Sequence, residues 1–300
     1  GPQGVVGIER VLDHVAHAVG RDPAEVRRLN FYDPAGAPRG RNVTHYHMRV
    51  EDFVLQDIVE ELLDASDYHA RRAEIRSFNE TSPVVKRGIA MTPVKFGISF
   101  TTTFLNQAGA LVHVYQDGSV MLNHGGIEMG QGLHRKVAQV AASELGVDLD
   151  RVKITATRTD KVPNTSATAA SSGSDMNGMA VKDACDRIKA RLVAFAAAHW
   201  GVPKGEVRFL ANRVRVGAEE IPFPDLVKAA YLARVSLSAT GFYATPKIHW
   251  DRESARGRPF YYFAYGAAVS EVAIDTLTGE NRILRADILH DVGRSLNPAI

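Results

Sequence analysis

The 300-residue chain has a single cysteine, Cys185. Internal disulfides are therefore excluded, as are cysteine-ligated zinc and iron–sulfur sites within the chain. Cys185 falls between Val181 and Ile188 in a helical pattern, where a small buried residue is expected. Long apolar runs are also missing, and none approaches the ~20 residues that span a bilayer. Neither charge predominates: 36 basic and 34 acidic residues leave a formal net charge of +2. That balance points to neither nucleic acid nor an anionic membrane as partner. No secretory pattern opens the chain, and Gly1-Pro2-Gln3-Gly4 reads as a cut from a longer polypeptide. What is present is 45% hydrophobic and 23% charged, an ordinary globular composition. The length suits roughly two domains of ~150 residues, and the cytoplasm is the natural compartment.

The first third reads as helical. Val5, Ile8, Val11, Leu12, Val15 and Val19 follow the helical period, and Gly20 ends the run. Asp22-Pro23 has the form of an N-cap followed by proline at the first helical position. A Pro/Gly/Arg-rich stretch from Asp33 to Asn42 is expected to be an exposed turn or linker. Another helix is expected over Leu55 to Ile75, with Ile58, Leu62 and Leu63 inward. From Arg87 strands take over: Gly88 to Phe104, Ala110 to Tyr115 and Ser119 to Asn123, with Gln116-Asp117-Gly118 as a hairpin turn. Further strands are expected at Val152 to Thr157, Val207 to Val216, Val235 to Tyr243, Tyr261 to Ile274 and Arg282 to Val292. Asp275 to Gly279 forms a second hairpin connection. Paired strands with intervening helices predict an α+β fold of mixed, largely antiparallel sheets layered with helices.

Two loops of small residues stand out. Gly125-Gly126-Ile127-Glu128-Met129-Gly130-Gln131-Gly132 lies between a strand pattern and a helical one. About forty residues later, Thr165 to Asp175 opens a second long helix. Backbone N–H groups at a helix N-terminus favour anions, and small residues let a ligand approach. The pair therefore suits one bulky polar ligand. The first loop matches neither the P-loop nor the dinucleotide fingerprint, and a glycine run is also consistent with a tight turn. Gln131 can both donate and accept, which suits a polar ligand edge or a metal-bound oxygen. The second run reads as a cradle for phosphate or a pterin edge, or else as a linker or turn. Phe96 and Phe104 are expected in a sheet core, while Phe100 can face a pocket and stack on a flat ring.

The remaining candidates have plain readings. His45-Tyr46-His47 puts two imidazoles on one face of a strand without a third ligand nearby. His113, His124 and His134 are scattered. Lys136 is a surface or phosphate-neighbouring cation, and Asp160-Lys161 a solvated turn pair. No Ser–His–Asp or Cys–His arrangement is evident.

Lys95 to Thr101, Phe104 to Ala110, Gly125 to His134 and Asn164 to Ser171 closely resemble the molybdopterin-binding part of the xanthine dehydrogenase family, in the same order along nearly the whole chain. Gly1-Pro2-Gln3 also resembles the end of that family's Arg-Gly-Phe-Gly-Gly-Pro-Gln segment. The resemblance implies a molybdenum hydroxylase whose cofactor is molybdenum-molybdopterin, the metal bearing oxo and sulfido ligands. Hypoxanthine and xanthine would be oxidised to urate, with electrons leaving through 2Fe-2S clusters and FAD to NAD. Met129, Gly130, Gln131 and Gly132 match the first cofactor loop, with Gln131 beside the metal. Thr168, Ser171, Ser172, Gly173 and Ser174 match the second, although Ser172 and Gly173 depart from residues common in the family. Phe100 matches an aromatic packed on the flat heterocycle, Thr101 the adjoining pocket wall, and Ala169-Ala170 the small residues beside the substrate.

The resemblance also implies what lies elsewhere. The family's catalytic glutamate sits in a Gly-x-Gly-Glu-Pro-Pro type motif that does not occur before Ile300. The purine-positioning arginine and second aromatic would precede Gly1. Residues 1–85 are then a mainly helical segment completing a preceding molybdopterin-binding domain, and 86–300 a second such domain, incomplete at its C-terminus. An FAD/iron–sulfur subunit and a dimer of heterodimers are the implied partners. Aldehyde oxidase or another N-heterocycle hydroxylase of the family is the alternative activity. A non-catalytic cofactor scaffold and an unrelated phosphate-binding enzyme are the rivals outside it.

Overall fold

Capping chemistry sets the first elements of the computed structural model, which describes residues 1–33 and 40–296. In chain order the helices are α1 (Pro2–Val19), α2 (Pro23–Leu29), α3 (Leu55–Ala65), α4 (Tyr68–Thr81), α5 (Leu133–Leu145), α6 (Gly173–Trp200) and α7 (Phe223–Leu232). The strands are β1 (Val85–Gly97), β2 (Gln107–Val114), β3 (Val120–His124), β4 (Val152–Ile154), β5 (Val207–Leu210), β6 (Arg213–Val216), β7 (Glu219–Pro222), β8 (Ser238–Ala244), β9 (His249–Asp251), β10 (Arg256–Arg258), β11 (Phe263–Asp275) and β12 (Asn281–Asp291). Gly20 closes α1 in the left-handed conformation. Asp22 caps α2, its carboxylate accepting the Ala24 N–H at 2.8 Å. Both hairpin connections form where expected, β2 to β3 and β11 to β12. The Pro/Gly/Arg-rich stretch lies mostly outside the described residues. Among the described residues no helix is long and apolar enough to cross a membrane.

The chain divides into two units: Gly1–Gly97 with Asp251–Arg258 and the segment from Tyr262, and Ile98–Trp250 with Pro259–Tyr261. In the first unit β11 lies between β1 and β12, antiparallel to both. Glu271 of β11 is buried and ion-paired with Arg71 of α4 and Arg87 of β1. Arg71 reaches Asp287 of β12 as well, at 3.0 Å. Burial alone would raise the Glu271 carboxyl, but its bonds from Arg87 and Arg71 outweigh that and hold it below the usual range. Removing one partner from a buried pair like this costs ~3–5 kcal/mol, because the other charge is stranded.

Several expectations for this unit need correction. The apolar stripe of α1 does not face inward, since Val6, Ile8, Val11 and Val19 are all more than half exposed. The buried side of α1 carries Ala16, with Glu9 and Asp13 binding Arg27 of α2. The single helix expected over Leu55 to Ile75 is two, broken at Asp67, whose φ is 54°. Leu62 and Leu63 do point inward. His45-Tyr46-His47 is a turn closed by a Val43–Arg49 bridge, not a strand.

The second unit is built on a sheet ordered β4-β3-β2-β8, antiparallel except for the β3–β4 pair. Helices α5 and α6 pack on it, and α7 packs on α6. The core joins Val112 and Leu122 of the sheet to Val137 and Leu145 of α5 and to Val181, Ile188 and Leu192 of α6. Cys185 is fully buried there, and burial pushes its thiol up to about 12. Strands β5, β6 and β7 form a separate antiparallel sheet. Helix α7 was not expected from the sequence. The strand expected to run to Phe104 stops at Gly97, and Phe96 and Phe104 are exposed rather than core residues. Asp160 pairs with Arg158, not with Lys161.

Candidate cofactor-binding site

The first loop starts where β3 ends, and its two glycines are required by what they touch. A Cβ on Gly125 would lie 2.2 Å from Thr165 Cγ2 of the second loop. A Cβ on Gly126 would lie 2.6 Å from Leu133 Cδ2 and 2.7 Å from Asn177 Nδ2. The two loops are thus in direct apposition, and the Ile127 N–H donates to Thr168 Oγ1 at 2.9 Å to join them.

The rest of the first loop is tied to itself. Glu128 Oε1 accepts N–H bonds from Gly130 and Gly132 at 3.0 and 2.9 Å. Its Oε2 accepts the His134 N–H at 3.0 Å. These bonds, His134's first, hold the exposed carboxyl below its usual range. Gln131 Oε1 accepts the Met129 N–H at 2.6 Å, and its Nε2 donates to Ile127 O at 3.0 Å. The N-terminus of α5 is therefore not the open anion site the sequence implied, because Glu128 already fills it. What Met129, Gly130, Gln131 and Gly132 present outward is a shelf: Met129 is 65% exposed, and a Cβ on Gly130 or Gly132 would meet nothing within 4 Å.

The second loop treats its helix differently. Ala170 and Ser171 both have φ of 55°, so two successive non-glycine residues are left-handed. That conformation costs ~1–2 kcal/mol per residue, and such strain clusters at functional sites. Ser172 is the buried N-cap of α6, yet its hydroxyl turns back to Ala169 O at 3.2 Å and caps no N–H. Asn177 donates to Gly173 O at 2.8 Å, bracing the first turn. The start of this 28-residue helix, at Gly173 and Ser174, thus lacks a side-chain cap. Thr168 turns toward the first loop, while Ala169 and Ser171 are exposed.

Phe100 and Thr101 sit on a third segment. Asn106, buried, accepts the Phe100 N–H at 2.7 Å and donates to Phe100 O at 2.9 Å and Thr103 O at 3.2 Å. The preceding Ser99 is buried with φ of 129°. This clasp replaces the strand ladder expected there and leaves Phe100 part-exposed and Thr101 exposed. Among the described residues no hydrogen bond or ring contact links Phe100 or Thr101 to either loop. Sequence reasoning placed Glu128, Thr165 and Asn106 in their segments without their roles and missed Asn177. An acid four residues before the Gly132 N-cap was a usable signal for Glu128; the others carry none.

Residues 61–300 match the family model for the molybdopterin cofactor-binding domain. The chain belongs to that family. Relatives similar along all 300 residues include xanthine dehydrogenase/oxidase of Felis catus at 49% identity, which the chain covers to 21% of its length. Xanthine dehydrogenase/oxidase of Gallus gallus is 46% identical, with 20% of its length covered. Xanthine dehydrogenase of Oryza sativa subsp. japonica is 45% identical, also with 20% covered. The chain thus spans about a fifth of these relatives. Among solved structures, reconstituted CO dehydrogenase from Oligotropha carboxidovorans superposes with a TM-score of 0.80 at 24% identity, over 99% of this chain and 37% of that one. Quinoline 2-oxidoreductase from Pseudomonas putida 86 does so at 0.78 and 22%, over 98% and 38%. These two likenesses establish the fold, mixed helices and largely antiparallel sheets. The residues present fit molybdopterin: an uncapped helix start for its phosphate beside an open glycine shelf for a flat polar ring.

Proposed function

We propose that the chain is the central piece of the molybdenum-binding region of a cytoplasmic molybdenum hydroxylase that oxidises hypoxanthine and xanthine to urate. One observation carries this reading: relatives named xanthine dehydrogenase from mammal, bird, insect and plant are 44–49% identical along the entire chain. Residues 1–85 complete one molybdopterin-binding domain and 86–300 form most of a second. When bound, the cofactor supplies two-electron oxidation of carbon, and 2Fe-2S clusters and FAD on a partner subunit or another region pass the electrons to NAD. The full protein is read as a dimer of heterodimers.

Within the chain, Met129, Gly130, Gln131 and Gly132 support the cofactor from one side, with Gln131 nearest the metal. Thr168, Ser171, Ser172, Gly173 and Ser174 hold it from the other, the Gly173–Ser174 amides facing its phosphate. Ala169 and Ala170 leave room for the purine, Phe100 stacks on it, and Thr101 forms the adjoining wall. Stacking contributes ~0.5–1.5 kcal/mol and orients the ring for reaction. Proton transfer belongs to a glutamate outside the chain.

The test is metal analysis and substrate turnover of the full-length protein with its partner subunit. Stoichiometric molybdenum with xanthine preferred over aldehydes is the expected result. Molybdenum with aldehydes preferred would replace the substrate, and a protein without molybdenum would overturn the reading.

A further inference from the structure

The backbone N–H and C=O of Gly126 are each held by a histidine. His124, at the end of β3, is 1% exposed, and its Nδ1 accepts the Gly126 N–H at 3.0 Å. Its ring proton is therefore on Nε2. His134, in the first turn of α5, sets its Nε2 3.2 Å from Gly126 O, a contact that requires a proton on that nitrogen. Thr157 Oγ1 donates to the same carbonyl at 3.2 Å. The two rings meet edge-on, their centroids 5.3 Å apart. His134 holds the loop at a second point, since its own backbone N–H donates to Glu128 Oε2. One residue thus ties down the start of the loop through its ring and the middle through its main chain. Burial, aided by His134, pushes His124 down to about 4, with Asn177 opposing, so the ring stays a neutral acceptor near pH 7.

We propose that His124 and His134 are positioning residues that clamp the backbone on both sides of Gly126 and so fix the Met129–Gln131 shelf against the molybdenum cofactor. The inference rests on the reading that this loop supports molybdopterin. Neither histidine touches the cofactor in this account; they act through the two successive peptides that flank the Gly126 Cα, and together they fix the dihedrals between them. The chemistry required of each ring is different. His124 must accept through the nitrogen nearer its Cβ, and His134 must donate through the one farther out. An asparagine side chain places its polar atoms near the Nδ1 position and a glutamine near the Nε2 position, so the two sites should accept opposite replacements.

The test uses the full-length, cofactor-loaded protein and follows the rate at which pterin is released, by fluorescence, together with Tm and xanthine kinetics. His134→Gln and His124→Asn are expected to retain the cofactor as the wild type does. His134→Asn, His134→Phe and His124→Gln are expected to lose it about tenfold faster, the effect of one hydrogen bond. The core variant Ile188→Val supplies the comparison for stability alone: it should lower Tm without speeding release. His134 is only part-buried, so its variants decide the matter if those at His124 do not fold. Equal release from all His134 variants, or release that merely follows Tm through Ile188→Val, overturns the clamp. A wild-type protein that holds no molybdopterin overturns the functional reading, and the clamp with it.

Discussion

Loop Gly125–Gly132 and loop Thr165–Ser172 each lead into a helix, and they treat that helix end in opposite ways. In the first, Glu128 takes the N–H groups of Gly130, Gly132 and His134, and Gln131 takes that of Met129. In the second, the N-cap Ser172 turns its hydroxyl away, and Ala170 and Ser171 bend into left-handed backbone. An anion gains ~0.3–1 kcal/mol at an open helix start, and up to ~2 when partly buried. At α5 that gain already goes to a carboxylate of the protein itself, whose charge repels another anion. At α6 no side chain makes the N-cap bond, and the acid of the first turn is Asp175. Small-residue loops before helices are therefore of two kinds, a self-stapled shelf and an open receiver. The position of the acid distinguishes them: Glu128 precedes its N-cap and takes the loop's N–H groups, whereas Asp175 lies inside the first turn of α6.

The sharpest way to break the comparison is to push the loops apart. Gly125→Ala and Gly126→Ala place a methyl 2.2 Å from Thr165 Cγ2 and 2.6 Å from Leu133 Cδ2 respectively. Such overpacking costs ~1–3 kcal/mol, and both variants of the full-length protein should lose most of their molybdenum. Normal metal content in Gly125→Ala would show that the loop apposition is dispensable, and in Gly126→Ala that the packing of the first loop on Leu133 and Asn177 is.

Acid is the next probe, because it weakens the shelf through His124. Its folded value of about 4 lies below the ordinary 6.5, so the unfolded chain protonates first. The stability contributed is complete above pH 6.5 and is lost as pH falls toward about 4, on the order of 3 kcal/mol. The Tm advantage of wild type over His124→Asn should shrink across that window. A constant difference from pH 7 to pH 4 would contradict the neutral, buried assignment.

Glu128→Ala should have a smaller, local effect. Amide exchange at Gly130, Gly132 and His134 is expected to accelerate about tenfold, while that at Gly173 and Ser174 stays unchanged. The same three amides should lose protection in wild type as pH drops through the lowered Glu128 pKa, since a depressed carboxyl stabilises only while ionised. The smallest effect belongs to the second loop. Ser171→Gly relieves a left-handed serine but adds freedom to the unfolded chain, for a net gain under ~1 kcal/mol. A fall in Tm would mean that the Ser171 side chain, rather than its backbone, holds the loop.

Local chemistry was readable where one residue decides the geometry. Asp22-Pro23, Gly20 and the two hairpins each carry their own signal, and each forms as its residues require. Features that depend on distant partners were not readable. The run from Lys95 to Phe104 alternates like a strand, but Asn106 satisfies the Phe100 backbone and diverts it, leaving Phe104 70% exposed. The stripe on α1 has the helical period, yet Glu9 and Asp13 binding Arg27 determine which side packs. At the site, the resemblance identified which loops matter, but not that Glu128 seals one of them. The histidines clasping Gly126 read as scattered in sequence, because ten residues and a loop separate two rings that meet in space.

The most direct test of the account is an experimental structure of the full-length protein with its cofactor bound. Molybdopterin should lie between Met129–Gly132 and Ser171–Ser174, its phosphate at the start of α6 and Glu128 still bonded to Gly130, Gly132 and His134. A phosphate at the start of α5 with Glu128 displaced, or a cofactor touching neither loop, would contradict it.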